Sequence, residues 1–313
     1  MPTIKAPQLR PNDCIGLIAP ASTPPAEERI EKGVEYLERR GYRVKVGAHV
    51  REQYGYLAGT DDVRAADFNA MVKDKSVKAI FCIRGGYGTP RLLGRIDYAA
   101  LRRNPKIIVG YSDVTALQLA IFRKTGLVTF SGPMSGVEMW KGMDPYTEEH
   151  FWRQITSKTK IGPLPNPPEE ELCIHRKGTA TGLLLGGNLS LLVCLIGTPY
   201  LPNLAKSILV LEDVEEEPHR LDRMWTTVEN SGISRRIGGL VLGLFTDCEP
   251  VDKTKPYLTA EEVLAEIPPK MKCPTMSNFR YGHVPRKMTL PLGVKAKLDT
   301  KKGVLEVLEG GVR

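Results

Sequence analysis

The chain has 313 residues, 42% of them hydrophobic and 26% charged, which suits one large or two moderate globular domains and excludes disordered and fibrous classes. The formal net charge of +8 comes from scattered Lys and Arg, the densest groups being pairs such as Arg102-Arg103 and Lys301-Lys302, so the excess reads as a solvated basic surface without a nucleic-acid partner. None of the six cysteines forms a C-x-x-C pair, Met1-Pro2-Thr3-Ile4-Lys5 holds no apolar signal core, and no window reaches the roughly 18 apolar residues of a membrane span. A reduced, cytoplasmic protein with no metal, no cofactor and no membrane partner is expected, with Cys82 and Cys194 as small core hydrophobes.

In chain order, the apolar run 14–19 predicts a strand ended by Pro20. Ile30, Val34 and Leu37 then fall on one face of a helix over 26–40 that stops at Gly41. Residues 42–46 predict a second strand, 64–72 a helix, 77–83 a third strand, 106–110 a fourth, 114–124 a helix closed by Gly126, and 127–130 a fifth strand. Strands alternating with helices imply parallel pairing and an α/β sheet, and their near-continuous apolar character suits a sheet covered on both faces.

The stretch 161–178 is proline-rich, then acidic, and cannot continue a helix or a central strand. It predicts a linker between a nucleophile domain over 1–160 and a second domain over 179–313. The second half predicts strands at 207–211 and 239–245, a helix over 260–267 stopped by Pro268-Pro269, and two short strands around a turn in 295–308.

The segment Ile107-Ile108-Val109-Gly110-Tyr111-Ser112-Asp113-Val114 runs a buried strand into a serine and then at once into a helix. The serine hydroxyl then sits above the C-terminal edge of the sheet, where free N–H groups and the positive helix end favour an oxyanion. The pattern is G-x-S-x-V, not the G-x-S-x-G elbow of α/β-hydrolases, and serine is also a common helix N-cap. The preceding strand ends in Arg84-Gly85-Gly86-Tyr87-Gly88. If the two strands are neighbours, this loop faces Ser112 and its amides join the N–H of Asp113 as oxyanion donors. G-G-x-G is neither a dinucleotide fingerprint nor a Walker loop.

A serine nucleophile needs a base, and the base an orienting acid. Of five histidines, His49 and His150 read as surface residues, His175 lies in the linker, and His219 follows Glu215-Glu216-Glu217. His283, in a Gly-His-x-Pro loop, is free to project. The apolar run 208–211 ends in Glu212 and Asp213. A salt bridge from Glu212 to Arg220 or Arg223 is the plain alternative to an acid that holds His283.

Several segments together resemble the LD-carboxypeptidase family, in an order that runs nearly end to end. They are Ile18-Ala19-Pro20-Ala21-Ser22, Leu57-Ala58-Gly59-Thr60 with Arg64 and Asp67, Arg84-Gly85-Gly86-Tyr87-Gly88 with Arg91-Leu92-Leu93, and Gly110-Tyr111-Ser112-Asp113. In the second half they are Gly186-Gly187-Asn188-Leu189-Ser190, Leu211-Glu212-Asp213 with Asp222-Arg223, and Gly282-His283. The resemblance implies a serine peptidase with Ser112 as nucleophile, Glu212 as acid and His283 as base. It also implies backbone oxyanion donors at Gly86 and Asp113, and no metal. The implied fold is a flavodoxin-like N-terminal domain with a β-rich swivelling C-terminal domain, as a homodimer. The implied reaction cleaves the L,D-amide bond that releases terminal D-alanine from peptidoglycan tetrapeptides, and Arg84 is the candidate for the substrate's terminal carboxylate. The microcin C immunity branch, which cleaves peptidyl-adenylates, is the alternative; its members tend to be longer. A non-catalytic flavodoxin-like ligand-binding module is a further one. Two departures stand out: Ser131 where many members carry histidine, and His219 where tyrosine is usual.

Overall fold

The structure is a computed structural model and describes residues 2–313. The first half alternates β1 (Cys14–Ile18), α1 (Glu28–Arg39), β2 (Arg43–Val46), α2 (Asp61–Lys73), β3 (Val77–Cys82), α3 (Tyr98–Arg103), β4 (Ile107–Gly110), α4 (Val114–Thr125), β5 (Thr129–Ser131) and α5 (Pro145–Thr156). β6 (Gly162–Leu164), β7 (Cys173–Arg176), β8 (Thr179–Asn188), α6 (Leu189–Cys194), β9 (Ile208–Val214), α7 (Pro218–Asn230) and β10 (Gly239–Thr246) follow. The chain ends through α8 (Ala260–Ala265), α9 (Ile267–Lys270), β11 (Thr275–Ser277), β12 (Leu290–Leu292), β13 (Lys295–Asp299) and β14 (Val304–Val307).

The strands form two sheets. The first has the order β12-β5-β4-β3-β1-β2. Its β1 to β5 are all parallel, in the doubly wound order 2-1-3-4-5 of flavodoxin-like folds. The second, β6-β14-β13-β8-β9-β10-β11-β7, has a parallel centre from β8 to β11 and antiparallel strands on both sides. The expected α/β fold, with a flavodoxin-like parallel sheet in the first half and a second sheet in the other, therefore holds.

Three assignments differ from expectation. The stretch 161–178 is not structureless: β6 and β7 occupy opposite edges of the second sheet, and edge positions tolerate Pro163 because its missing N–H faces no ladder partner. Pro268 and Pro269 do not stop a helix; they open the short α9 in its first turn, where an unpaired amide costs nothing. Finally, β12 comes from the far end of the chain yet pairs antiparallel with β5, giving the first sheet its edge.

α4 is buried from Val114 to Ile121, too apolar all round for a one-faced surface helix, because it lies between the first sheet and the second half. Thr115 Oγ1 accepts the Asn188 amide at 3.2 Å, and an ideal Cβ on Gly187 would lie 2.6 Å from the same oxygen. The halves therefore meet along the helix that begins just after Ser112.

Candidate active site

Because β3 and β4 are hydrogen-bonded neighbours, the glycine loop after β3 lies directly over the turn after β4. A Cβ built on Gly85 would stand 2.9 Å from Ser112 Cβ and 3.1 Å from its Oγ, so a side chain there would collide with the nucleophile. Gly86 has φ +111°, and its Cβ would meet Ser22 Oγ at 2.3 Å. Only glycine fits both demands. The loop after β1 braces this arrangement: Ser22 N donates to Gly85 O at 3.2 Å and Ser22 Oγ accepts from Tyr87 N at 3.1 Å.

Ser112 has φ +62°, a left-handed conformation that a non-glycine residue rarely adopts. Such backbone strain concentrates at functional sites. The position before the first residue of α4 belongs to Asp113, and Ser112 Oγ makes no capping hydrogen bond among the described residues. The capping alternative thus fails. The Asp113 carboxylate instead accepts the Thr89 amide at 2.8 Å, and the Thr89 hydroxyl donates to Asp113 O. Burial pushes the Asp113 carboxyl up to about 6, against the lowering effect of its Thr89 and Gly88 donors. Its side chain ties the glycine loop to the nucleophile turn.

On the other half, β9 delivers Glu212 fully buried at its end. Glu212 Oε2 lies 2.7 Å from His283 Nδ1, while Oε1 has no partner among the described residues. A buried carboxylate with one neutral partner is costly, and the cost falls when the imidazole becomes cationic. The salt bridge to Arg220 or Arg223 is not formed: Arg220 approaches Glu216 at 3.8 Å and Glu217 at 3.9 Å. Asp213, beside Glu212, accepts from Asn188 Nδ2 and from the amide and hydroxyl of Ser190. Burial raises its carboxyl to about 6.

The two halves converge on Tyr111. Its ring centroid lies 4.9 Å from that of His283. Ser112 Oγ and His283 are not hydrogen-bonded to one another among the described residues; catalytic contacts often tighten only with substrate bound. Arg84 donates to Thr23 O at 3.2 Å and has no carboxylate within ion-pair reach among the described residues. Its guanidinium is half-buried, and burial and the nearby Arg29 depress its pKa. An unneutralised cation beside the glycine loop can receive an anionic group.

Three sequence expectations on side chains are corrected. His150 is buried against Tyr146, at 4.5 Å between rings, because the inward face of α5 packs on the first sheet's core. His49 is not simply a surface residue, since its Nδ1 pairs with Asp67 at 2.7 Å. Cys194 is exposed, because it falls on the outer side of the short α6. His175 sits on the exposed β7, bonded to Ser277 Oγ at 2.7 Å, and the exposed His219 lines a surface cleft with Asp222 and Tyr257. Among the described residues no cluster of His, Cys, Asp and Glu could hold a metal, and no helix is long and apolar enough to cross a membrane. The sequence reading quoted Ser22 and Tyr111 only as parts of matching segments, with no role for either, and missed Thr89; Tyr111, next to Ser112 in the chain, carried a positional signal.

Comparison with known proteins is consistent with this geometry. The profile of the LD-carboxypeptidase N-terminal domain matches residues 15–132, and that of the LD-carboxypeptidase C-terminal domain matches 181–298. The chain belongs to the LD-carboxypeptidase family. It is thereby a serine-type carboxypeptidase. A probable murein peptide carboxypeptidase of Bacillus subtilis is 38% identical over 308 residues, spanning 97% of this chain and 94% of that protein. The murein tetrapeptide carboxypeptidase of Pseudomonas aeruginosa is 32% identical over 293 residues, spanning 91% and 92%. The solved structure of the microcin immunity protein MccF in complex with glutamyl sulfamoyl guanosine superposes with a TM-score of 0.88 at 27% identity, covering 99% of each chain.

Proposed function

We propose that this LD-carboxypeptidase removes the terminal D-alanine of peptidoglycan tetrapeptides through Ser112, His283 and Glu212. The observation that carries the reading is the strained Ser112 turn under Gly85, met from the other half by the His283–Glu212 pair. In this reading His283 takes the Ser112 proton as Oγ attacks the carbonyl of the L,D-amide bond. The amides of Gly86 and Asp113 hold the resulting oxyanion, and Glu212 balances the imidazolium. The imidazolium then gives its proton to the departing amine of D-alanine, leaving an acyl-serine. A water, deprotonated by His283, attacks that ester and restores Ser112. Arg84 receives the carboxylate that distinguishes a carboxypeptidase substrate; its lack of an ion-pair partner supports this role.

The proposal includes a nucleophile domain over 1–160, a linker over 161–178, an acid–base domain over 179–313, a homodimer, and a cytoplasmic role in murein recycling. Purified protein given L-Ala-γ-D-Glu-meso-diaminopimelate-D-Ala should release D-alanine, scored by chromatography, and Ser112→Ala should abolish release. Unchanged turnover in that variant would falsify the mechanism. A second reading, cleavage of peptidyl-nucleotides, is favoured by the close superposition on MccF. A peptidyl-sulfamoyladenosine assayed beside the tetrapeptide separates the two by kcat/KM.

A further inference from the structure

His283 stands on a stretch, 280–289, that belongs to no helix or strand. Its backbone bonds run to its own half, Leu244 N donating to Tyr281 O at 2.9 Å, and within the stretch, Met288 N donating to Arg280 O at 2.7 Å, so its register over a serine carried by the other sheet needs further contacts. Besides the Thr147 hydroxyl, which donates to Pro285 O at 3.2 Å and accepts from Lys287 N at 2.9 Å, two buried side-chain anchors bracket His283. Before it, Tyr281 OH and Ser131 Oγ are 2.6 Å apart. After it, Lys287 Nζ reaches Glu138 Oε1 at 2.7 Å. Both anchors cross to the nucleophile half, and all four side chains are buried.

The second anchor is the more demanding one. Glu138 and Lys287 are nearly without solvent, at 6% and 3% exposed. An isolated charge at either place would be strongly disfavoured, and a buried pair is a poor source of net stability against an apolar replacement. Both carboxylate oxygens are satisfied: Glu138 Oε1 also accepts the Tyr111 hydroxyl at 2.7 Å, and Oε2 accepts the Met134 amide at 2.9 Å. Lys287 Nζ lies 3.9 Å from the Tyr111 ring centroid, and the His283 ring packs on that same tyrosine. Tyr111 immediately precedes Ser112 in the chain. The ion pair therefore holds the one residue that touches both the base and the backbone of the nucleophile.

We propose that Glu138 and Lys287 are positioning residues, which clamp Tyr111 and the His283 loop so that the imidazole is registered over Ser112. The inference rests on His283 being the base. Both residues are buried and act through Tyr111 and the loop.

The double variant Lys287→Met/Glu138→Gln removes both charges without leaving a lone buried ion; the glutamine oxygen can accept from Tyr111, and the bond from the Met134 amide is lost. Two readouts are taken on the full chain, after a thermal melt has verified folding. One is the Cε1–H resonance of His283 in protein carrying 13C-histidine, identified by its loss in His283→Gln; the Tyr111 ring current displaces it. The other is kcat and KM on the tetrapeptide. The expected result is a resonance that moves toward that of free histidine, with kcat at least tenfold lower and KM within twofold. If the variant is folded and the resonance and kcat are both unchanged, the proposal is overturned; a resonance that moves while kcat stays within twofold also overturns it. Should wild type lack turnover while the resonance responds, the peptidase reading fails but the clamp on His283 stands. Where the double variant does not fold, Tyr111→Phe keeps the ring and loses only the Glu138 bond. It is then read the same way, with a two- to fivefold fall in kcat expected and an unchanged kcat and resonance overturning the proposal.

Discussion

The two sides of the site are built by different means. The side that carries Ser112, the proposed nucleophile, is made by backbone: a parallel strand, a left-handed serine, a helix start, and a glycine loop stacked above them. The base side is made by side chains that reach across to the other sheet, with His283 on an irregular loop between the Tyr281 and Lys287 anchors. Backbone geometry is set by near neighbours and tolerates little substitution. Side-chain geometry depends on distant partners, so its parts can be loosened one at a time.

That contrast can be tested from its strongest point downward. Glu212→Gln keeps the size of the acid but cannot balance an imidazolium, so kcat should fall by about 10³–10⁴ with a nearly normal melt; tetrapeptide turnover beside a thermal scan measures both. Gly86→Ala attacks the backbone side. It forces a Cβ at φ +111° toward Ser22 Oγ, and loss of the oxyanion donor should lower kcat by about 10²–10³. Adding Ser22→Gly, which removes the clash but not the torsion, should restore little; full recovery would show that sterics and not backbone conformation set this half.

Ser131→Ala attacks the side-chain half more gently. It leaves the buried Tyr281 hydroxyl unpaired, at a cost of about 1–3 kcal/mol, and kcat should drop only severalfold. A loss as large as that of Gly86→Ala would erase the proposed difference between the halves. The smallest effect concerns pH. Asp213 titrates at about 6 in the folded protein because it is buried, against about 3.9 in an unfolded chain. The folded state thus binds this proton more tightly. The stabilisation it brings is fully present below about pH 4 and is lost as pH rises through 6, with stability falling in that window. Relative to Asp213→Asn, which has no such proton, the wild-type Tm should fall by a few degrees between pH 4 and 7. A constant offset between the two melts would contradict the assignment.

The same contrast explains what could be read before the fold was known. β1, β3, β4 and β5 and α4 are legible because a covered parallel strand is a short apolar run punctuated by Pro or Gly, and β2, an edge strand, is legible from its alternation after Gly41. The nucleophile turn follows from two such strands lying side by side. Glu212 is legible as a carboxylate at the end of an apolar strand. Glu138 and Lys287 are not, since a charge among mixed residues carries no local sign that it is buried or paired 149 positions away. β6, β7 and β12 are hidden for a related reason: prolines mask the first and last, and all depend on edge pairings that only the assembled sheets provide. His150 misleads because the acidic pair Glu148-Glu149 directly before it suggests a surface, while its own side of α5 faces inward with Phe151.

The strand β12 has a consequence for how the molecule is made. The sheet that carries Ser112 borrows its outer edge from residues 290–292, which follow His283 in the chain. During synthesis the hydroxyl-bearing sheet stays open along β5 until the base has also left the ribosome. A shortened chain ending after α5 would expose an unpaired strand edge and invite self-association. The sheet that carries Ser112 is thus completed only by a short segment that follows His283 in the chain.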